Sequence, residues 1–536
     1  MNKKSISLVA LIVTIIVLII LTGTVVINMM EDNSILNKGY DATSKYHHQS
    51  EVEMITSDLL AYELLKVEGT QMTLVEYMQQ KVWCGHAVYE EEDNKVTVTV
   101  NDCGHMFEIL PAGKVVAVEG IKNNTVTVTS MDEIEYFMQN KVVQTIVLEA
   151  DIEIDKQIEV KNRTMKIIGG GHTITYDDTY NGIMFSISSD ASLIIEDVNI
   201  NGGNQWNWDN DQLQLVITNT KANSSIYIDG ELPDIAVSQD NGKVISGPIF
   251  LCSGDLKIDG NTTITNCYLD DVNNNIIRAI GDENKIPTIT LGDVEIYHCV
   301  GSTGSISYGS NAKYVLNKNL KIYDNYIFGG NGGLFNLENN TNLNFESGQI
   351  YDNVLIAQRG NIFYANGSTA IVMNGGTISN NTGLRGGSST TGSMIECVHL
   401  GTCVINGGSI INNSGVLTGA IGVRWPDSEE LIYVTLNGGT IKDNIVHIPD
   451  TWYHPDAIFS RGKVVISENM VVNGNVNIND AKGNLINNGK IEGDVFVTHA
   501  NVSITNNGII DGDVTVTVQG GTFINNGTVS GIITQP

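Results

Sequence analysis

From about residue 120 to the end, short runs alternate Val, Ile and Thr with polar residues at a period of two, the pattern of half-buried strands. The chain before that point reads differently. Ser5 to Met30 is uncharged and rich in Ile, Leu and Val, longer than the ~20 residues that span a bilayer. Lys3 and Lys4 precede it and Glu31 and Asp32 follow, which places its N-terminus in the cytoplasm and the rest outside. Over 31–68, Met54, Ile55, Leu59, Leu60, Leu64 and Leu65 recur at helical spacing, and Gly69 is a stop signal. Over 69–119, a short helical run, Leu74 to Met78, precedes strand-like Lys95 to Val100 and Met106 to Leu110. A small α+β head is expected there.

Internal repeats organise the remainder. Asn487-Asn488-Gly489 returns as Asn506-Asn507-Gly508 and Asn525-Asn526-Gly527, each time after 19 residues, and Val472 to Val476 lies one step upstream. Such a unit is too small to fold alone but suffices for one coil of a stacked solenoid. Asparagines at one point of successive coils can form an amide ladder, and Val495, Val497, Val514 and Val516 should stack inward. Longer copies begin at Asn374-Gly375-Gly376, Asn406-Gly407-Gly408 and Asn437-Gly438-Gly439, 32 and 31 residues apart, with weaker copies at Leu320 to Asn325 and Gly348 to Asn353. The excess over 19 residues is expected to leave the coil as corner loops.

The fold class expected is mainly β: a right-handed parallel β-helix over 120–536, preceded by a long N-terminal membrane helix and the small head. A short helix over 131–139, capped by Ser130, would cover the first coil, since solenoids need capped ends. Long coils would run over about 145–465 and 19-residue coils over about 466–536. At about 28 residues per coil this gives roughly 15 coils and a rod on the order of 70 Å.

Three resemblances add to this reading. Lys3-Lys4-Ser5-Ile6-Ser7-Leu8-Val9 and the apolar run after it resemble the N-terminus of type IV pilins and pseudopilins of clostridia-like Gram-positive bacteria. That resemblance implies processing between Ser5 and Ile6 and packing with other pilus subunits. Where the family carries Gly before the cut and Glu after it, this chain has Ser5 and Ala10, so a fixed membrane anchor is the alternative. The Gly-Gly-Thr-Ile repeats resemble those of bacterial β-helix surface adhesins. The order of cap helix, strands and Gly169-Gly170-Gly171-His172 resembles the opening of pectate-lyase-like β-helices.

Charge narrows the partners. With 30 basic and 60 acidic residues the net charge is −30, which repels nucleic acid and anionic lipid surfaces. Acidic side chains could collect Ca2+, but no cofactor is implied by any motif. Seven cysteines are too few for a disulfide scaffold. Cys84-Gly85-His86 and Cys103-Gly104-His105 repeat one tripeptide, which leaves a Cys84–Cys103 disulfide, free thiols or zinc open. Cys397 and Cys403 could close a local loop.

No residue set assembles into a catalytic motif: Asp209, Asp211, Asp270 and Asp271 are loop carboxylates, and nothing gathers Arg278 and Arg359. Trp206, Trp208, Trp425, Trp452 and Tyr453 sit in polar insertions and are the candidate ligand contacts, to carbohydrate or to a host or cell-surface protein, because Trp is enriched in binding hot spots. The resemblances imply an adhesin or interaction module at the cell surface. A tethered polysaccharide lyase or hydrolase, and a spacer without a ligand, are the other two classes.

Overall fold

The computed structural model describes residues 35–67, 69–90, 95–100, 106–109, 115–117, 124–139, 143–204, 244–269, 271, 273–301, 305–328, 333–357, 361–385, 392–446 and 457–536. The chain forms two compact units that divide at Gly120. Among the described residues no helix is long and apolar enough to cross a membrane. The apolar segment Ser5 to Met30, with Ser5 and Ile6, lies outside them.

In the first unit, helix α1 (Ile35–Val67) buries Ile55, Leu59 and Tyr62, one stripe at i, i+4 and i+7. Leu64 and Leu65, expected on the buried face, are instead 39% and 38% exposed. The helix ends as the glycine signal requires: Gly69 has φ +95°, and the N–H of Thr70 donates to the carbonyl of Leu65. Helix α2 (Leu74–Gln79) starts with a capping box between Thr73 and Glu76. Four antiparallel strands follow in sequential order, β1 (Cys84–Glu90), β2 (Lys95–Val100), β3 (Met106–Ile109) and β4 (Val115–Ala117).

The second unit is the parallel β-helix. Its described strands form three long sheets: S1 with 15 strands from Thr125–Val128, S2 with 14 from Ile152–Ile154, and S3 with 14 from Ile158–Val160. Each strand pairs in parallel with the equivalent strand one coil away, as Ile378 does with Ile350 and Ile410. Helix α3 (Met131–Gln139) lies at the start, with the Ser130 hydroxyl accepting from the N–H of Glu133. The inward side is continuous and apolar, and Val495, Val497, Val514 and Val516 are all buried in it.

The long coils differ from the expectation in one respect. Their additional residues do not leave only as loops. Part of them forms a fourth parallel sheet of seven short strands, S4, from Tyr268–Leu269 to Ile445–Val446, inserted between S2 and S3. The 19-residue coils pass from S2 to S3 directly and lack it. S4 exists because of a two-residue corner. Asp324, Asp352, Asn380, Asn412 and Asp443 adopt φ of +50° to +56°, a conformation that Asn and Asp tolerate better than other side chains. The residue after each points inward: Asn325, Asn353, Asn381, Asn413 and Asn444 are all buried. Their amides form an unbroken ladder, Nδ2 donating to the next Oδ1 at 3.0, 2.9, 2.9 and 3.0 Å. Each Nδ2 also donates to backbone carbonyls, so polar groups that a bent chain would leave unsatisfied find partners. The repeated Asn-Asn and Asp-Asn pairs thus encode a turn and its internal support together.

Other columns line the outside. Asn406 donates to Asn374 and Asn437 to Asn406, both at 2.8 Å. Tyr297, Tyr323 and Tyr351 stack on the outer face of S2 with ring centroids 5.1 and 5.0 Å apart and planes within 9°. The glycine pair at the S1–S2 corner answers a steric demand: Gly376 has φ +77°, and a Cβ there would meet the Phe345 ring at 2.4 Å.

Candidate functional site

On S1 and S2 outward positions are mostly solvent-facing, whereas in the later coils of S3 several are buried as well. Tyr364, Glu396 and Phe459 follow one outward column of S3, and each is almost wholly covered. Glu396 is inaccessible and Arg424, one coil on, is 4% exposed. Arg424 Nε donates to Glu396 Oε1 at 2.6 Å, and Nη2 pairs with the same oxygen. A charge pair withdrawn from water holds the two strands in one arrangement.

Trp425 follows directly. In the pairing of Ile395–His399 with Ile421–Pro426, Val398 opposes Arg424 but His399 opposes Pro426, so Trp425 is an additional residue in the register. It is a β-bulge, a device that re-aims a side chain. Trp425 has φ +48°, and His399 beside it +56°, a region costly for a bulky residue and commonest where function demands it. Trp425 is 38% exposed, with the Arg424 guanidinium 4.4 Å from its ring centroid and the His399 ring at 6.3 Å. His399 Nδ1 lies 3.3 Å from Asp427 Oδ1.

The corner is braced from both sides. A second register shift in Ile432–Leu436 places Tyr433 as an additional residue, pointing inward and buried. Its hydroxyl accepts from the N–H of Ser428 at 3.0 Å, and burial raises its pKa above the usual phenol value. Lys482 Nζ donates to the carbonyl of Pro426 at 2.8 Å. Arg461 follows in the next coil, with its guanidinium 5.9 Å from the Phe459 ring. Its buried Nε has no hydrogen-bond partner among the described residues. The result is a rigid corner presenting an aromatic ring beside guanidinium, imidazole and carboxylate groups, suited to holding a ligand.

Of the aromatic residues picked out by sequence, Trp425 alone is described, while Trp206, Trp208, Trp452 and Tyr453 lie outside the described residues. Glu396, His399 and Arg424 were not legible as site residues in the sequence, because nothing in local spacing pairs residues 28 apart. A hint was present: Arg424 lies in an apolar strand pattern, where an unpaired charge would be costly.

The remaining candidates are dispersed. Cys84 is buried in β1 and its thiol donates to the carbonyl of His86 at 3.4 Å, burial raising its pKa. Cys103 lies outside the described residues. Cys397 and Cys403 do not close the local loop expected for them. They remain free buried thiols on strands of different sheets, and burial pushes Cys403 up to about 12. Asp271 accepts from Asn273, and Arg278 lies over the Tyr308 ring, so each serves its own neighbours. Asp209, Asp211, Asp270 and Arg359 lie outside the described residues. Among the described residues no three His, Cys, Asp or Glu side chains gather as a metal ion would need.

The fold and this corner define a capped parallel β-helix with a braced aromatic projection. Residues 125–232 match the family of pectate lyase-like adhesive domains, covering α3 and the opening coils. Among solved structures the chain is similar to "L. reuteri 53608 SRRP", at 11% identity and a TM-score of 0.21, over 76% of this chain and 99% of that one. No curated protein matches the chain.

Proposed function

We propose that this chain is an adhesin-type interaction module, displayed outside the cell and held there by its N-terminal segment. The observation that carries this reading is the Trp425 bulge: a strained, exposed aromatic residue kept in place by a buried ion pair, a buried tyrosine and a lysine tether. The match of residues 125–232 to an adhesive family supports it. Ligands in keeping with the corner are carbohydrate or a protein of another cell surface, since Trp and Arg dominate binding hot spots.

The test is retention of the full chain on glycan and host-protein arrays, with product analysis of any bound polysaccharide. Retention without turnover is expected, and Trp425→Ala should weaken it at least about tenfold, the loss of one hot-spot side chain. Release of shortened or unsaturated sugar would replace the adhesin with the tethered lyase or hydrolase.

Attachment follows the apolar segment Ser5 to Met30 and its pilin-like order. Mass spectrometry of the mature N-terminus separates the two modes. A chain starting at Ile6 favours incorporation among pilus subunits, and one starting at Met1 a fixed membrane anchor.

A further inference from the structure

A cleft of about 540 Å3 lies beside the first turn of α3, on the outward face of the opening coils. That volume is within the ~300–1,000 Å3 range of small-molecule sites. Its floor is one register column of S2, Glu153, Thr175 and Asn201, on three successive coils. Asp151 and Thr173 flank this column, and Thr129 and Ser130 form the wall. All of these residues fall inside the segment that matches the adhesive family, yet the Trp425 corner lies far along the chain.

The lining decides the ligand chemistry. Thr129 Oγ1 donates to the Glu133 carboxylate, and Thr175 Oγ1 to the carbonyl of Asn201 at 3.1 Å. Both hydroxyl protons are therefore committed, and what each oxygen has left for a ligand is acceptor capacity. One oxygen of Asp151 accepts the N–H of Thr173 at 2.8 Å and lies 3.4 Å from His172, leaving the other oxygen for a ligand. Glu153 is exposed and forms no ion pair among the described residues. The cleft thus offers acceptors at Asp151, Glu153, Thr129 and Thr175 beside donors at the Ser130 hydroxyl and at the amide of Asn201, whose Oδ1 already accepts from the N–H of Gly203, with two carboxylates that repel anions. Its two apolar residues, Met131 and Ile152, are themselves buried and give little surface for hydrophobic contact.

We infer that this cleft binds an uncharged, polyhydroxylated ligand, a neutral saccharide whose hydroxyl groups donate to Glu153, Asp151 and Thr175. The inference rests on the adhesin reading and gives it a second contact, about the cap. The test uses the full chain, Glu153→Ala, Glu153→Gln and Thr175→Val on an array of neutral oligosaccharides of glucose, galactose, mannose and N-acetylglucosamine. Uronate-bearing and free-amine oligosaccharides serve as comparison arms.

The expected result is retention on at least one neutral oligosaccharide. Glu153→Ala should weaken it about tenfold or more, the worth of a hydrogen bond to a charged acceptor, and Thr175→Val should weaken it less. Glu153→Gln keeps a neutral acceptor and should weaken binding less than Glu153→Ala, whereas an amine-bearing ligand would be lost with the charge. Melting temperatures of the two Glu153 variants should be unchanged, because that side chain is exposed, while Thr175→Val also loses its bond to the carbonyl of Asn201 and should melt slightly lower.

Unaltered binding by all three variants would place the ligand elsewhere and overturn the cleft while leaving the adhesin reading intact. Retention only on uronate or amine arms would overturn the ligand class. A wild-type chain held by no glycan overturns the saccharide site. If it is held by no host protein or cell surface either, the adhesin reading falls with it.

Discussion

Asn381→Ala should lower the opening free energy of the surrounding coils by about 4 kcal/mol. The substitution removes the Oδ1 that accepts from both the N–H and the Nδ2 of Asn353, and the Nδ2 that serves the carbonyls of Ile350 and Ser379 and Oδ1 of Asn413. Each buried group left without a partner costs about 1–3 kcal/mol, and several are orphaned here in a ladder that is buried from solvent. Native-state hydrogen exchange checks this locally: protection should fall in Gln349–Tyr351, Thr377–Ser379 and Ser409–Ile411 and persist several coils away, since solenoid stability is nearest-neighbour in character.

Asn381→Asp should be worse, because a carboxylate would face acceptors. The exposed ladder supplies the control. Asn507 makes the same amide contacts, to Asn488 at 2.8 Å and from Asn526 at 2.9 Å, but water can replace them, and Asn507→Ala should cost less than about 1 kcal/mol. Equal costs at the two sites would show that burial is not the source of the ladder's strength.

The second large effect is expected at the ion pair. Glu396→Ala leaves the Arg424 guanidinium buried without its counter-charge and should destabilise the β-helix by about 4 kcal/mol, in the range found when one partner of a buried pair is removed. Replacing both, Glu396→Met with Arg424→Met, should restore most of that stability, because desolvation of two charges largely cancels their attraction. Ligand retention should not return with it. The guanidinium over Trp425 is lost, and with it the contact that orients the ring. Thermal unfolding and array retention of the single and double variants measure the two effects separately. A double variant that recovers both would reduce the pair to packing.

How much was legible varies with the range of the interaction involved. The helix stop at Gly69, the cap at Ser130 and the inward valines are local patterns, and each appears where the sequence puts it. The identity of the second sheet corner was half legible. An amide ladder was expected from the 19-residue repeats, but neither its place at Asn381 and its copies nor the fourth sheet followed, since Val300–Gly301 and Ser414–Gly415 are too short to read as strands until a coil stacks on them. The exposed positions of Leu64 and Leu65 went against the periodic pattern because a helical period does not say which part of a stripe a neighbouring element covers.

At the candidate site the balance shifts further toward tertiary structure. A Trp in a polar segment marked Trp425, but its exposure, its bulge, its φ and its bracing by Tyr433 depend on a partner strand one coil away. The cleft at the cap was not legible at all. Glu153, Thr175 and Asn201 are separated by 22 and 26 residues, and only the stacking register brings them into one column.

The sequence by itself determined the class of fold, the cap and the repeat, because backbone hydrogen bonding, hydrophobic period and turn chemistry act over a few residues and recur in every coil. The tertiary structure alone decided where charges pair and where a cleft opens. Those depend on how many residues each coil inserts, which sets the vertical alignment of side chains that no single repeat contains.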